Sequence, residues 1–230
     1  MDAIFAWFAQ LKWDKLLEMV LVALSCIVCI VFHEVCHGLA AMWMGDNTAR
    51  RAGRLSLNPL KHIDPIGLVM LFTVHFGWAK PVPVEMRRFR NPKAGMALTA
   101  LAGPVGSLLL AAVLMPLYAL CVYRFHLTQS DWAYYSLLFL INTVSLSIGL
   151  GIFNLFPIPP LDGSKILFAV LPPRLYLKLM RYERYGMLLL VALLFFGVLD
   201  APLSFLRDGV MNGLLTLIAE PVLQLLAVWH

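Results

Sequence analysis

Four stretches of this chain stay apolar for longer than the helices of soluble domains usually run: Leu16 to Met44, Met96 to Tyr123, Ala133 to Phe156 and Met211 to Val228. A helix needs about 20 such residues to cross the roughly 30 Å hydrocarbon layer of a bilayer. In lipid it must also satisfy every backbone N–H and C=O internally. A fifth run, Tyr185 to Leu199, is marginal in length. With 61% hydrophobic and 13% charged residues and a mean hydropathy of +0.81, the composition lies outside that of soluble domains. The expectation is an all-α polytopic membrane protein with about five transmembrane helices.

No long polar linker, repeat or low-complexity tract divides the 230 residues, so one integral membrane domain is expected, with a core over 16–171 and additional helices over 185–229. The first 15 residues carry Asp2, Lys12, Asp14 and Lys15 around a short apolar stretch and read as an interfacial helix, not a cleavable signal. Cys26, Cys29, Cys36 and Cys121 all lie within apolar runs, where they act as small reduced hydrophobes. Of 18 basic residues, fourteen fall in segments 45–95 and 157–184. By the positive-inside rule those segments face the cytoplasm and the N-terminus lies outside. The net charge of +5 thus reports topology and contact with anionic lipid, not nucleic acid.

The first run is interrupted. "IVFHEVCHGLAAMW", residues 30–43, places His33, Glu34 and His37 in an otherwise apolar helix. Residues four apart share a helix face, so His33 and His37 can offer two imidazoles to one metal ion. In H-E-x-x-H the glutamate is not a ligand but a general base toward water at the metal. With this composition the pattern is expected by chance only ~0.003 times. The bland alternative is that the histidines hydrogen-bond across the bundle and the glutamate pairs with an arginine. Against it stands a cost of about 2.5–3.5 kcal/mol for an ionisable residue near the middle of a membrane helix.

A catalytic zinc takes three protein ligands and leaves one position open. Asp162, in "NLFPIPPLDG", follows Pro157, Pro159 and Pro160, which cannot continue a helix, so it is presented from unwound chain. It could also cap a short helix over 163–171. Cys36, at i+3 from His33, competes as third ligand, although it diverges from the adjacent His37 by about 100° around the helix. Ile66 to Val74 is too short to span and suits a re-entrant piece or a strand dipping into the bilayer. Pro81 and Pro83 after it suit an edge strand, to which an extended substrate could add, or a loop on the membrane surface. His62, His75, His126 and His230 have no partner at metal spacing.

"HEVCHG" at 33–38, "FGWAKPVPV" at 76–84, "AGP" at 102–104 and "NLFPIPPLDG" at 154–163 together resemble the site-2 protease family of intramembrane zinc metalloproteases, in its compact form without PDZ or cystathionine-synthase-type domains. The resemblance spans about Leu16 to Leu171. It implies one zinc per chain on His33, His37 and Asp162, Glu34 as general base, and Asn154 contacting substrate or steadying the oxyanion. It also implies regulated intramembrane proteolysis: a multi-pass protein of the cell membrane, acting on a membrane-protein substrate with a transmembrane segment, such as a tethered transcription regulator, an anti-sigma factor or a remnant signal peptide. Ser107 stands where the family often has asparagine. In "AGPVGS", Gly103, Gly106 and Ser107 can equally serve close helix packing. A zinc transporter or a non-catalytic metal-binding scaffold are the competing functions. A transporter should offer several polar positions along a path, and a structural site has no use for Glu34.

Overall fold

The computed structural model describes residues 12–62, 64, 67, 80–172, 175 and 183–228. Helix α1 runs Trp13–Trp43 and is followed by the single turn α2, Thr48–Arg51. Helix α3 covers Pro92–Thr128, α4 Asp131–Asn154, α5 Asp162–Val170, α6 Glu183–Phe195 and α7 Asp200–Val228. Four of these, α1, α3, α4 and α7, are long and apolar enough to cross a membrane, whereas α6 is a shorter apolar helix. Among the described residues there is no strand, and the protein is an all-α polytopic membrane protein. Residues 80–84 are irregular. Apart from Gly67, the rest of the expected re-entrant or β-hairpin piece lies outside the described residues, as does all but the end of the expected interfacial helix.

Two rows of residues at four-residue spacing hold the centre together. On α1 the row is Ser25, Cys29, His33, His37 and Ala41, all buried. On α3 it is Thr99, Gly103, Ser107, Ala111, Met115 and Ala119, also buried. Lipid is as apolar as leucine, so membrane helices associate through close packing and hydrogen bonds, and small residues permit both. Across the α1–α4 contact Ser25 donates to the Phe139 carbonyl at 3.1 Å, Cys29 to the Thr143 carbonyl at 3.3 Å, and Thr143 Oγ1 to Ser25 Oγ at 3.0 Å. Ser147 of α4 donates to the Ser107 carbonyl of α3 at 2.7 Å. Lipid-facing leucine and valine cover the outside, as at Leu109, Val113 and Leu117.

Short connections fix the outline. Gln129, left-handed at φ 49°, and Ser130, whose hydroxyl accepts from the Ala133 N–H, turn α3 directly into α4. At the other end of α1, Gly45 has φ +110° and lies 3.3 Å, by its would-be Cβ, from the Arg88 carbonyl. Asp46 next to it is fully buried and accepts the N–H groups of Thr48 and Glu85. Burial alone would raise its carboxyl, but these donors, the Thr48 hydroxyl and nearby Arg88 hold it below the usual carboxylate range. Buried Arg54 bonds the carbonyls of Lys61, Lys80 and Pro81, which brings residues 80–82 against α1.

Candidate metal centre

His33 and His37 project from the α1 row into the contact with α3. The Thr99 carbonyl can only accept, so at 2.7 Å it takes a hydrogen bond from His37 Nδ1, which in the neutral ring leaves Nε2 with its lone pair free. The Nδ1 of His33 lies 2.9 Å from Ser107 Oγ, which can fill the same role. The two Nε2 atoms then face each other at 3.0 Å. Asp162 Oδ2 completes a triangle, 3.3 Å from His33 Nε2 and 3.0 Å from His37 Nε2. Lone pairs gathered this closely repel unless a proton or a metal cation sits among them. Among the described residues this is the group of histidine, cysteine and acidic side chains whose donor atoms could hold a metal ion.

Backbone makes room for that group. Gly103 of α3 lies under the two rings, and a Cβ there would stand 2.3 Å from His37 Nε2 and 2.7 Å from His33 Nε2. Cys36 points elsewhere: its Sγ rests over Gly106, one turn along α3, where an added Cβ would stand 2.3 Å away. The Pro157–Pro160 unwinding that the sequence implied is present between α4 and α5. Gly163 allows the chain to fold back there, because the Leu155 and Phe156 carbonyls lie 2.2 and 2.4 Å from where its Cβ would be. Asp162 thus opens α5 and is buried beside the histidines, its Oδ1 turned to Lys165 Nζ at 3.4 Å.

Glu34 sits half-buried beside the histidines. The Val82 N–H donates to its Oε2 at 2.9 Å, a contact set up by the Arg54 grip on the two residues before Val82. A cavity of about 550 Å³ opens over the site, lined by Glu34, Val82, Asn154, Asp162, Met187 and Leu190 among others. Asn154 donates through Nδ2 to the Leu150 carbonyl of its own helix at 3.0 Å. The last two lining residues belong to α6, which is seated by Gly186 against Pro159. His33, Glu34, His37, Asn154 and Asp162 all line that cavity.

Side-chain chemistry could not reveal the Thr99 carbonyl, the Val82 amide or the space at Gly103. Thr99 and Gly103 show in the sequence only as small residues at four-residue spacing on α3, and Val82 only as part of the proline-flanked stretch before it. Of the lone histidines, His62 is buried, with Nε2 2.8 Å from the Ser56 carbonyl.

Comparison with known proteins points to a family. The model of peptidase family M50 matches residues 122–197, a span that contains Asn154 and Asp162. The protein named "Putative zinc metalloprotease YwhC" of Bacillus subtilis (strain 168) is 36% identical over 210 residues, covering 87% of this chain and 93% of that one. Two proteins named "Putative zinc metalloprotease Rip2" are more distant. That of Mycolicibacterium smegmatis is 29% identical over 76% of this chain and 66% of its own length. That of Mycobacterium tuberculosis (strain H37Rv) is 29% identical over 78% and 71%. No solved structure matches the chain significantly. Similarity to YwhC over nearly the whole of both proteins, together with the family match across the Asp162 segment, establishes that the chain belongs to peptidase family M50.

Proposed function

We propose that this chain is a zinc-dependent endopeptidase that hydrolyses a peptide bond in or near the transmembrane segment of a membrane-protein substrate, within its single integral membrane domain. The observation that carries the reading is the triangle of His33 Nε2, His37 Nε2 and Asp162 Oδ2, spanning 3.0–3.3 Å over Gly103. Two neutral imidazoles and one carboxylate form a donor set of the kind that holds a catalytic zinc and leaves a position open. A zinc held by these residues would supply polarisation of the scissile carbonyl and a water of pKa lowered toward 7.

The remaining work falls to the chain. Glu34 takes a proton from the attacking water and returns it to the leaving amine nitrogen. The Val82 N–H orients the carboxylate through Oε2, leaving Oε1 for the proton. Asn154, on the cavity wall, is assigned to the substrate carbonyl. Ser107 and the Thr99 carbonyl hold the histidine rings in the tautomer that presents Nε2. A substrate helix must unwind before its carbonyl can be reached. Residues 80–84, of which Pro81, Val82 and Val84 line the cavity, would receive its freed backbone groups.

Zinc content tests the ligand set. The native chain should hold one zinc, Asp162→Ala should lose it, and Cys36→Ser should keep it. Ser107→Ala should bind it about 10–100-fold more weakly. Full occupancy after Asp162→Ala, with loss after Cys36→Ser, would overturn the assignment.

The reading includes an orientation, with segments 45–95 and 157–184 in the cytoplasm, resting on the fourteen-to-four split of basic residues. A cysteine in place of Arg88 should react with an impermeant maleimide only after the membrane is opened. Reaction in intact cells would reverse the topology.

A further inference from the structure

Helix α7 meets the bundle along one side only. There Val210, Met211, Leu214, Leu215, Ile218 and Ala219 join the buried cluster of α3 and α4 that includes Ala111, Met115, Val144 and Ile148. On the outward side Asp208, Asn212, Thr216, Glu220 and Gln224 recur at every fourth residue, and all are exposed. A regular helix turns 100° per residue, so such a repeat drifts by about 40° at each step. The wider π turn over Leu215–Ala219 takes up part of that drift and keeps Asn212, Thr216 and Glu220 close to one line.

Asp208 is met by its neighbour Arg207. Asn212, Glu220 and Gln224 make no side-chain hydrogen bond among the described residues. Beside the stripe, a Cβ added at Gly209 or Gly213 would meet no atom within 4 Å. Nothing inside the chain requires glycine there, although glycine weakens a helix interior.

Carboxyl and amide side chains within a spanning helix face protein or a watery cavity, not lipid. Glu220, next to the buried Ala219, falls at the middle of the apolar run Met211 to Val228. We infer that this stripe is the docking face for a transmembrane helix of a different membrane protein, one that sets a basic side chain opposite Glu220 and hydroxyl or amide groups opposite Asn212 and Thr216. The two glycines let the backbones approach closely.

Charge argues against a second copy as the occupant. Copies inserted with one orientation are related by an axis along the membrane normal, so each residue of a two-fold contact faces itself. Asp208 would meet Asp208 and Glu220 would meet Glu220, and like charges repel strongly away from water. Position argues against a substrate helix. The stripe points away from the bundle, and no α7 residue lines the cavity over Glu34. The partner is held and not cut, and the inference stands apart from the peptidase reading.

The test uses the full chain, donor-labelled, in phosphatidylcholine vesicles with acceptor-labelled synthetic helices. These are about 20 residues of leucine and alanine, either uninterrupted or with one central lysine. Energy transfer should report association with the lysine helix about tenfold stronger than with the apolar one. Paired Asn212→Leu and Glu220→Leu substitutions should abolish that preference. Glu220→Gln, which keeps the shape and hydrogen bonding of the side chain, should abolish the lysine preference while the chain stays folded, as shown by unchanged cleavage of a short peptide. Equal binding of both helices overturns the inference. So does reaction of a Thr216→Cys chain with an impermeant maleimide, which would show a wet face, or self-association of the chain that the Glu220 substitutions remove, which would make the occupant a second copy.

Discussion

A Glu34→Gln chain is expected to keep its zinc and to lose hydrolysis by about 10²–10⁴-fold, the usual contribution of a positioned general base. Glutamine has nearly the same shape and can still accept the Val82 N–H through its amide oxygen, so the contact at 2.9 Å and the fold should persist. What disappears is the group that takes the proton. The measurement is paired: zinc per chain by elemental analysis, and cleavage of a single-span substrate in vesicles. Loss of zinc together with activity would mean that Glu34 supports the ligands and is not the base. Undiminished cleavage would remove it from the mechanism.

An equally large effect should follow from a single methyl group at Gly103. Its Cβ would stand 2.3 Å from His37 Nε2 and 2.7 Å from His33 Nε2, and both rings are held from behind by Thr99 and Ser107. They have little freedom to retreat. Gly103→Ala should therefore weaken zinc binding by at least ~100-fold, beyond what loss of one outer partner does, with activity falling in step. Gly149 of the neighbouring helix α4 supplies the control. A Cβ there meets no atom within 4 Å, and alanine is the better helix former, so Gly149→Ala should keep both zinc and activity. Equal behaviour of the two variants would show that Gly103 does not shape the site.

Residues with distinctive chemistry were readable from the order of amino acids. Histidines and a glutamate in an apolar run are costly and hence conspicuous, and the prolines before Asp162 announce the unwound chain that presents it. Groups whose role is backbone or empty space were not readable. A carbonyl at Thr99, an amide at Val82 and an absent methyl at Gly103 look like any other small or apolar positions until tertiary packing brings them to the imidazoles. Ser107 stood out as a departure from the family asparagine and as a small packing residue, not as a partner of His33, yet its Oγ lies 2.9 Å from His33 Nδ1. The last helix illustrates a different limit. Asp200, Arg207 and Asp208 depress local hydropathy, so the apolar run appears to begin at Met211, whereas the helix begins at Asp200. The marginal run at 185–199 is a short helix, ended at Phe195 and followed by Gly197 at φ +67°.

The walls of the cavity are of two kinds, and they differ in how freely they can change over generations. Beneath the histidines and behind Asp162 lie glycines pressed against imidazoles and carbonyls, at Gly103 and Gly163, where any larger residue collides. The rest of the lining, its rim, holds ordinary side chains such as Val84, Met96, Leu150 and Met187, half-buried or exposed, which can grow or shrink with less disturbance of the ligands. Descendants of one ancestral site are thus free to drift in the sequences they accept while the chemistry stays fixed. Differences in substrate preference between this chain and its relatives should map to the rim, and exchanging the rim residues between two of them should carry the preference across.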